Sequence, residues 1–302
     1  MAGITTRLTS IGSIGREMTN VEQAVLSDGR KLAYEQFGAE NGVPVIYNHG
    51  WPSSRLECRH LAPSAEKTGV RLISVDRPGM GGSDFQPNRA LLDWPNDISQ
   101  LADHLCLDKF HILGVSGGGP YVSVCAYKIP ERLLGAAIIA GVTPMTNPRT
   151  KHGMRMMNRI LLNVGKPAPW LLNWFMKYMQ NVANDTEKLK RALSDLPEVD
   201  KQVMAGDTID ELAESAQECL RQGTAGATQD GRIYALPWGF ELNQIDIPVT
   251  VWQGSLDVNV PLSNGQILAE SIPNVSSNFI DGEGHFSILI NHGETMLTEL
   301  IG

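Results

Sequence analysis

Ser116 lies in the run Gly114-Val115-Ser116-Gly117-Gly118. A serine between small residues suits a sharp strand-to-helix turn that leaves its hydroxyl exposed. The hydroxyl is a poor nucleophile near neutral pH and needs a base, usually a histidine oriented by a carboxylate. His285, in Gly282-Glu283-Gly284-His285-Phe286, is the candidate base. His49 also follows an apolar run, but its Gly50-Trp51-Pro52 context points to another task. His60, His104 and His152 fall in helical patterns, His111 begins a strand and His292 sits near the C-terminal helix. Asp257, in Gly254-Ser255-Leu256-Asp257, is the candidate orienting carboxylate and stands between Ser116 and His285 in the chain. Asp281 and Glu283 are local rivals beside His285, while Asp246 precedes its strand and belongs at the wrong edge. Acyl transfer also needs N–H donors aimed at a developing oxyanion. Gly117, directly after the serine, and Trp51 are the candidates; Pro52 has no N–H.

These residues need elements to hold them. Apolar runs at 44–47, 71–75, 110–115, 133–140, 249–252 and 275–280 are bounded by Gly, Pro or Asp and read as strands buried on both faces. Segments 21–27 and 31–37 read as a hairpin around the two-residue turn Asp28-Gly29. Helical patterns cover 56–68, 94–105, 117–128 and 261–272. The alternation predicts an α/β fold, a central mostly parallel eight-stranded sheet flanked by helices. Ligands in such sheets bind outside the carboxyl ends of the strands, where the Gly-rich punctuation falls. Residues 143–236 break the alternation. Leu171, Leu172, Phe175, Met176, Met179 and Val182 have helical spacing, as do Ile209, Leu212, Ala216, Cys219 and Leu220. The expected organisation is a flexible tail over 1–18, a core over 19–142 and 237–302, and an inserted helical cap over 143–236.

The 302 residues are 42 % hydrophobic and 19 % charged, as in a globular protein with a large core. A net charge of −8 argues against nucleic acid and against anionic membranes as partners. Cys58, Cys106, Cys125 and Cys219 include no CxxC pair and no Cys/His cluster, so no metal site is expected. They read as free thiols of a reducing, cytoplasmic setting. Residues 1–20 have no secretory apolar run, and no stretch is long enough to span a bilayer.

Five pieces in order carry a resemblance: His49-Gly50-Trp51-Pro52, Asp76-Arg77-Pro78-Gly79-Met80-Gly81-Gly82-Ser83, the Ser116 run, Gly254-Ser255-Leu256-Asp257 and Gly282-Glu283-Gly284-His285-Phe286. The chain resembles the α/β-hydrolase fold family, specifically its small members with a helical cap, over about residues 21–302. The resemblance implies a Ser116–His285–Asp257 triad, an oxyanion hole from Trp51 and Gly117, and no cofactor. The family's epoxide hydrolases and haloalkane dehalogenases carry Asp at the nucleophile position, so Ser116 argues against both. Gly119-Pro120 departs from the single glycine more usual after the serine.

The expected function is hydrolysis of an ester or related acyl bond in a small molecule. Met154, Met156, Met157, Met176, Met179, Trp170, Trp174, Phe175 and Trp238 could line a partly apolar pocket or simply pack the insertion onto the core. A triad does not fix the reaction. C–C hydrolysis, lyase or cyclising chemistry, a small-molecule receptor and an inactive scaffold remain open. Oligomeric state is not legible.

Overall fold

The computed structural model describes residues 21–302. The tail expected over 1–18 lies outside them. The first half of the sheet contains β1 (Glu22–Val25), β2 (Lys31–Gly38), β3 (Val43–Asn48), β4 (Val70–Val75), β5 (Phe110–Val115) and β6 (Leu133–Ile139). Helices α1 (Ala62–Thr68), α2 (Trp94–His104) and α3 (Gly119–Lys128) lie between them, α1 directly preceded by a 3-10 segment, Arg55–Leu61. Six α-helices follow among the described residues: α4 (Met156–Val164), α5 (Pro169–Ala183), α6 (Thr186–Ala192), α7 (Glu198–Val203), α8 (Asp207–Cys219) and α9 (Ala225–Tyr234). The chain then returns to the sheet through β7 (Val249–Gly254), α10 (Leu262–Ser271), β8 (Val275–Ile280) and α11 (Ser287–Ile301).

The sheet has eight strands in the order β1-β2-β4-β3-β5-β6-β7-β8. β1 pairs antiparallel with β2 and β2 with β4; the other pairings are parallel. This is the expected α/β sheet. Successive side chains point to opposite faces, so Ile46, Ile73, Ile112 and Val251 join a core with α2, α3 and α10. Tyr47, Leu72, Leu113 and Trp252 join another with α1 and α11. Both faces being covered explains the continuous apolar runs.

Two local expectations change. The hairpin does not turn in two residues at Asp28-Gly29: Val25 faces Lys31, and Leu26 N–H donates to Arg30 O at 2.8 Å. A two-residue turn of Asp-Gly type needs positive φ at both positions, but in this loop only Gly29 has it, at 86°. β8 is not buried on both faces; as the sheet edge it is half-buried to exposed throughout.

The strand order reverses between β4, β3 and β5. The connection leaving β3 runs to α1 on one face of the sheet and the connection leaving β5 runs to α3 on the other, opening a crevice at the carboxyl ends. Residues 49–52 follow β3 at that edge and Ser116 follows β5.

Candidate active site

Ser116 occupies the left-handed region, with φ 53°. That conformation is costly for a residue with a side chain and is held only where the surroundings demand it. β5 enters the turn, and a 3-10 turn, Ser116–Gly118, leads into α3. The flanking glycines are steric requirements: a Cβ on Gly114 would lie 2.6 Å from Gly118 O. A methyl on Gly50 would stand 3.6 Å from Ser116 Cβ, so the 49–52 loop abuts the serine.

Asp257 follows β7 and His285 follows β8, the neighbouring strand. His285 Nδ1 lies 2.7 Å from Asp257 Oδ2, with both residues buried. Asp257 is itself held: Oδ1 accepts from Asn259 N and Val260 N at 2.8 Å, and Oδ2 from Gln253 Nε2 at 3.0 Å. Burial pushes the His285 imidazole toward neutrality, but the Asp257 charge and hydrogen bond, with Asp200 and Glu57 behind them, leave its pKa above the ordinary value. The rivals are otherwise engaged, Asp281 with Ser255 Oγ and Glu283 with His292. Ser116 Oγ makes no hydrogen bond to a described residue, His285 included. Such bonds often tighten only when substrate is bound.

His49 is fully buried and its pKa is pushed well below the ordinary value by burial and by Arg77. Its Nδ1–H faces Gly50 O at 2.9 Å while Nε2 accepts from Arg77 N at 3.3 Å. Both ring nitrogens serve the backbone, so His49 is a brace for this loop. Gly50 N–H is consumed by Glu57 Oε1 at 2.8 Å. The N–H groups of Trp51 and Gly117 have no acceptor among the described residues. The two residues adjoin: a Cβ on Gly117 would lie 2.9 Å from Trp51 Cβ.

The profile of the alpha/beta hydrolase fold family matches residues 43–194. The chain belongs to that family. It is 32 % identical to a non-heme chloroperoxidase of Streptomyces lividans over 129 residues, 40 % of this chain and 47 % of that protein. This chain therefore aligns with about half of that relative. It is 26 % identical to a soluble epoxide hydrolase of Corynebacterium sp. (strain C12) over 277 residues, 87 % of this chain and 90 % of the other. An esterase structure from Exiguobacterium antarcticum superposes with TM-score 0.68 at 16 % identity, covering 93 % of this chain and 99 % of that one. That likeness concerns the fold.

This α/β hydrolase places three further groups around the site that motif reading did not find. Asp200, on α7 and fully buried, accepts from the backbone N–H of His285 (3.0 Å), Phe286 (2.9 Å) and Ser287 (2.9 Å). Those donors open α11, where a helix has orphan N–H groups and favours negative charge. Gly284 leaves the space; any Cβ there would meet the Asp200 carboxylate. Asp230, on α9, binds Arg77 Nε at 2.6 Å and also pairs with Arg89. Arg77 in turn donates to the carbonyls of His49 and Gly50, the latter at 2.7 Å. Tyr234 Oη donates to Gly117 O at 3.0 Å. Once Arg77 is seen to be buried, its charge calls for an acid partner, and Asp230 supplies it.

Among the described residues no cluster of three or more His, Cys, Asp or Glu side chains could hold a metal ion. No described helix is long and apolar enough to cross a membrane.

Proposed function

We propose that this α/β hydrolase cleaves an ester or related acyl bond of a small, partly apolar molecule through a Ser116–His285–Asp257 triad. The observation that carries the reading is the buried 2.7 Å His285–Asp257 pair at the sheet edge that also holds Ser116 in its left-handed turn. His285 Nε2 takes the Ser116 proton as Oγ attacks the substrate carbonyl. Trp51 and Gly117 N–H groups receive the oxyanion. Collapse of the tetrahedral intermediate expels the alcohol, which takes the proton from His285. Water, deprotonated by His285, then attacks the acyl-enzyme and releases the acid. Asp257 fixes the imidazole tautomer and stabilises the imidazolium.

The epoxide hydrolase relative does not transfer its activity, since that chemistry calls for Asp where Ser116 stands. Residues 143–236 act in this reading as a cap over the crevice. The four cysteines are free, which supports a reducing, cytoplasmic setting.

A p-nitrophenyl ester series of rising acyl length tests the substrate class, and Ser116→Ala tests the mechanism. Ser116→Ala should lose turnover while melting like the native chain. Undiminished turnover by that variant would remove the covalent mechanism, and a preference for acetyl or strongly polar esters would remove the apolar acyl pocket. Solvent ¹⁸O should appear in the acid product; its absence would instead support cyclising or lyase chemistry.

A further inference from the structure

Helices α4 and α5 bury one side and leave the other bare. Leu161, Leu162, Leu172 and Met176 point inward and are buried. Outward stand Met156, 77 % exposed, Trp170, 69 %, and Trp174, 66 %, with Met157, Ile160 and Tyr178 about half exposed. Trp170, Trp174 and Tyr178 recur every four residues and so form one stripe along α5; Met156 and Ile160 do the same on α4. The two helices are consecutive, joined by residues 165–168. A protein surface rarely exposes two tryptophans, a tyrosine and three apolar side chains on two consecutive helices without something to cover them.

The charge around the stripe identifies the cover. The whole chain is acidic, at −8. From residue 141 to 184, however, the sequence has Arg149, Lys151, Arg155, Arg159, Lys166 and Lys177 and no Asp or Glu. Arg149 and Arg155 are matched by Glu270 and Asp195 from elsewhere. Arg159, Lys166 and Lys177 are exposed and have no ion-pair partner among the described residues. Exposed apolar and aromatic side chains that share two consecutive helices and their linker with unpaired cations fit an anionic bilayer: Trp and Tyr rest at headgroup depth, and Lys and Arg reach the phosphates. A second copy of this chain fits poorly, because a two-fold contact would bring the same unpaired cations together.

We infer that the outer face of α4 and α5 docks this protein on the surface of an anionic phospholipid membrane. The overall charge from which no membrane partner was expected conceals this local segregation. The inference is independent of the hydrolytic reading, and Ser116→Ala should bind membranes as the native chain does.

Cosedimentation of the full chain with vesicles tests it, comparing phosphatidylglycerol–phosphatidylcholine mixtures with phosphatidylcholine alone. Binding to the anionic vesicles should be at least tenfold tighter and should weaken with added salt. Trp170→Ala/Trp174→Ala and Arg159→Glu/Lys166→Glu/Lys177→Glu should each lose at least tenfold. Thermal melts of both variants should match the native chain, since none of these side chains is buried. Equal affinity for the two vesicle types, or native-like binding by both folded variants, overturns the inference. So does a native dimer that ignores vesicles and becomes monomeric in the tryptophan variant; that result would make a second copy the cover.

Discussion

His285 balances burial, which disfavours its charge, against Asp257, which favours it, and the balance lies on the charged side. In the proposed mechanism only neutral imidazole can take the Ser116 proton. The kcat/KM profile of an ester substrate should therefore rise with pH through a value above the ordinary histidine pKa of about 6.5. Asp257→Asn should move that limb to lower pH, because the favouring charge is gone. It should also cut kcat by about 10⁴-fold, the scale set by loss of the correct tautomer in a serine triad. A pH–rate profile of both proteins checks this; a limb unmoved in the variant would mean that His285 is not the titrating base. The placement of Ser116, Asp257 and His285 at the carboxyl ends of β5, β7 and β8 was legible in the sequence because each follows an apolar run at a Gly-rich break. Glu57 was not. It reaches Gly50 N–H across a turn whose 3-10 geometry no periodicity announces.

Elements were legible where burial on both faces imposed continuous apolar runs, as in β5, whose six residues are all buried. β8 was read from the same signal yet lies at the edge; Ser276, Ser277 and Asn278 were the polar clue to its exposure. Asp200 was beyond sequence reading altogether, because its partners are backbone N–H groups about 85 residues away. Its consequences are still specific. It fixes the start of α11 and contributes charge that raises the His285 pKa. Asp200→Asn keeps an acceptor oxygen but removes the charge. The acid limb should move to lower pH, less than in Asp257→Asn, with loss of about 1–3 kcal/mol of stability from the weakened charge-assisted bonds. Asp200→Ala should lose more stability and also kcat. A purely structural role would lower the melting temperature of Asp200→Asn and leave its pH profile in place, so the profile decides between them.

At the scale of the molecule, the inserted helices and the core are joined by buried charge beneath the 49–52 loop. Asp230 from α9 faces Arg77 and Arg89, and Tyr121 donates to it at 2.7 Å. All four are buried. Burial alone would raise the Asp230 pKa; Arg89 and Arg77 outweigh it and bring the carboxyl down to about 2. A carboxylate with a depressed folded pKa stabilises the fold above its unfolded value, about 3.9, and the contribution fades as pH falls toward 2. Asp230→Asn leaves two guanidinium groups buried against a neutral amide. The cost of breaking such a pair is about 3–5 kcal/mol, which for a chain of this size lowers the melting temperature by roughly 10 °C. The gap to the native protein should be constant near neutral pH and narrow below about pH 4. Activity should fall further than unfolding explains, because Arg77 also holds the carbonyls of His49 and Gly50 beside Ser116. Melts from pH 3 to 8, with kcat measured well below the transition, separate the two effects. Full kcat in the folded variant would mean that the buried charges join the insertion to the core without positioning the site.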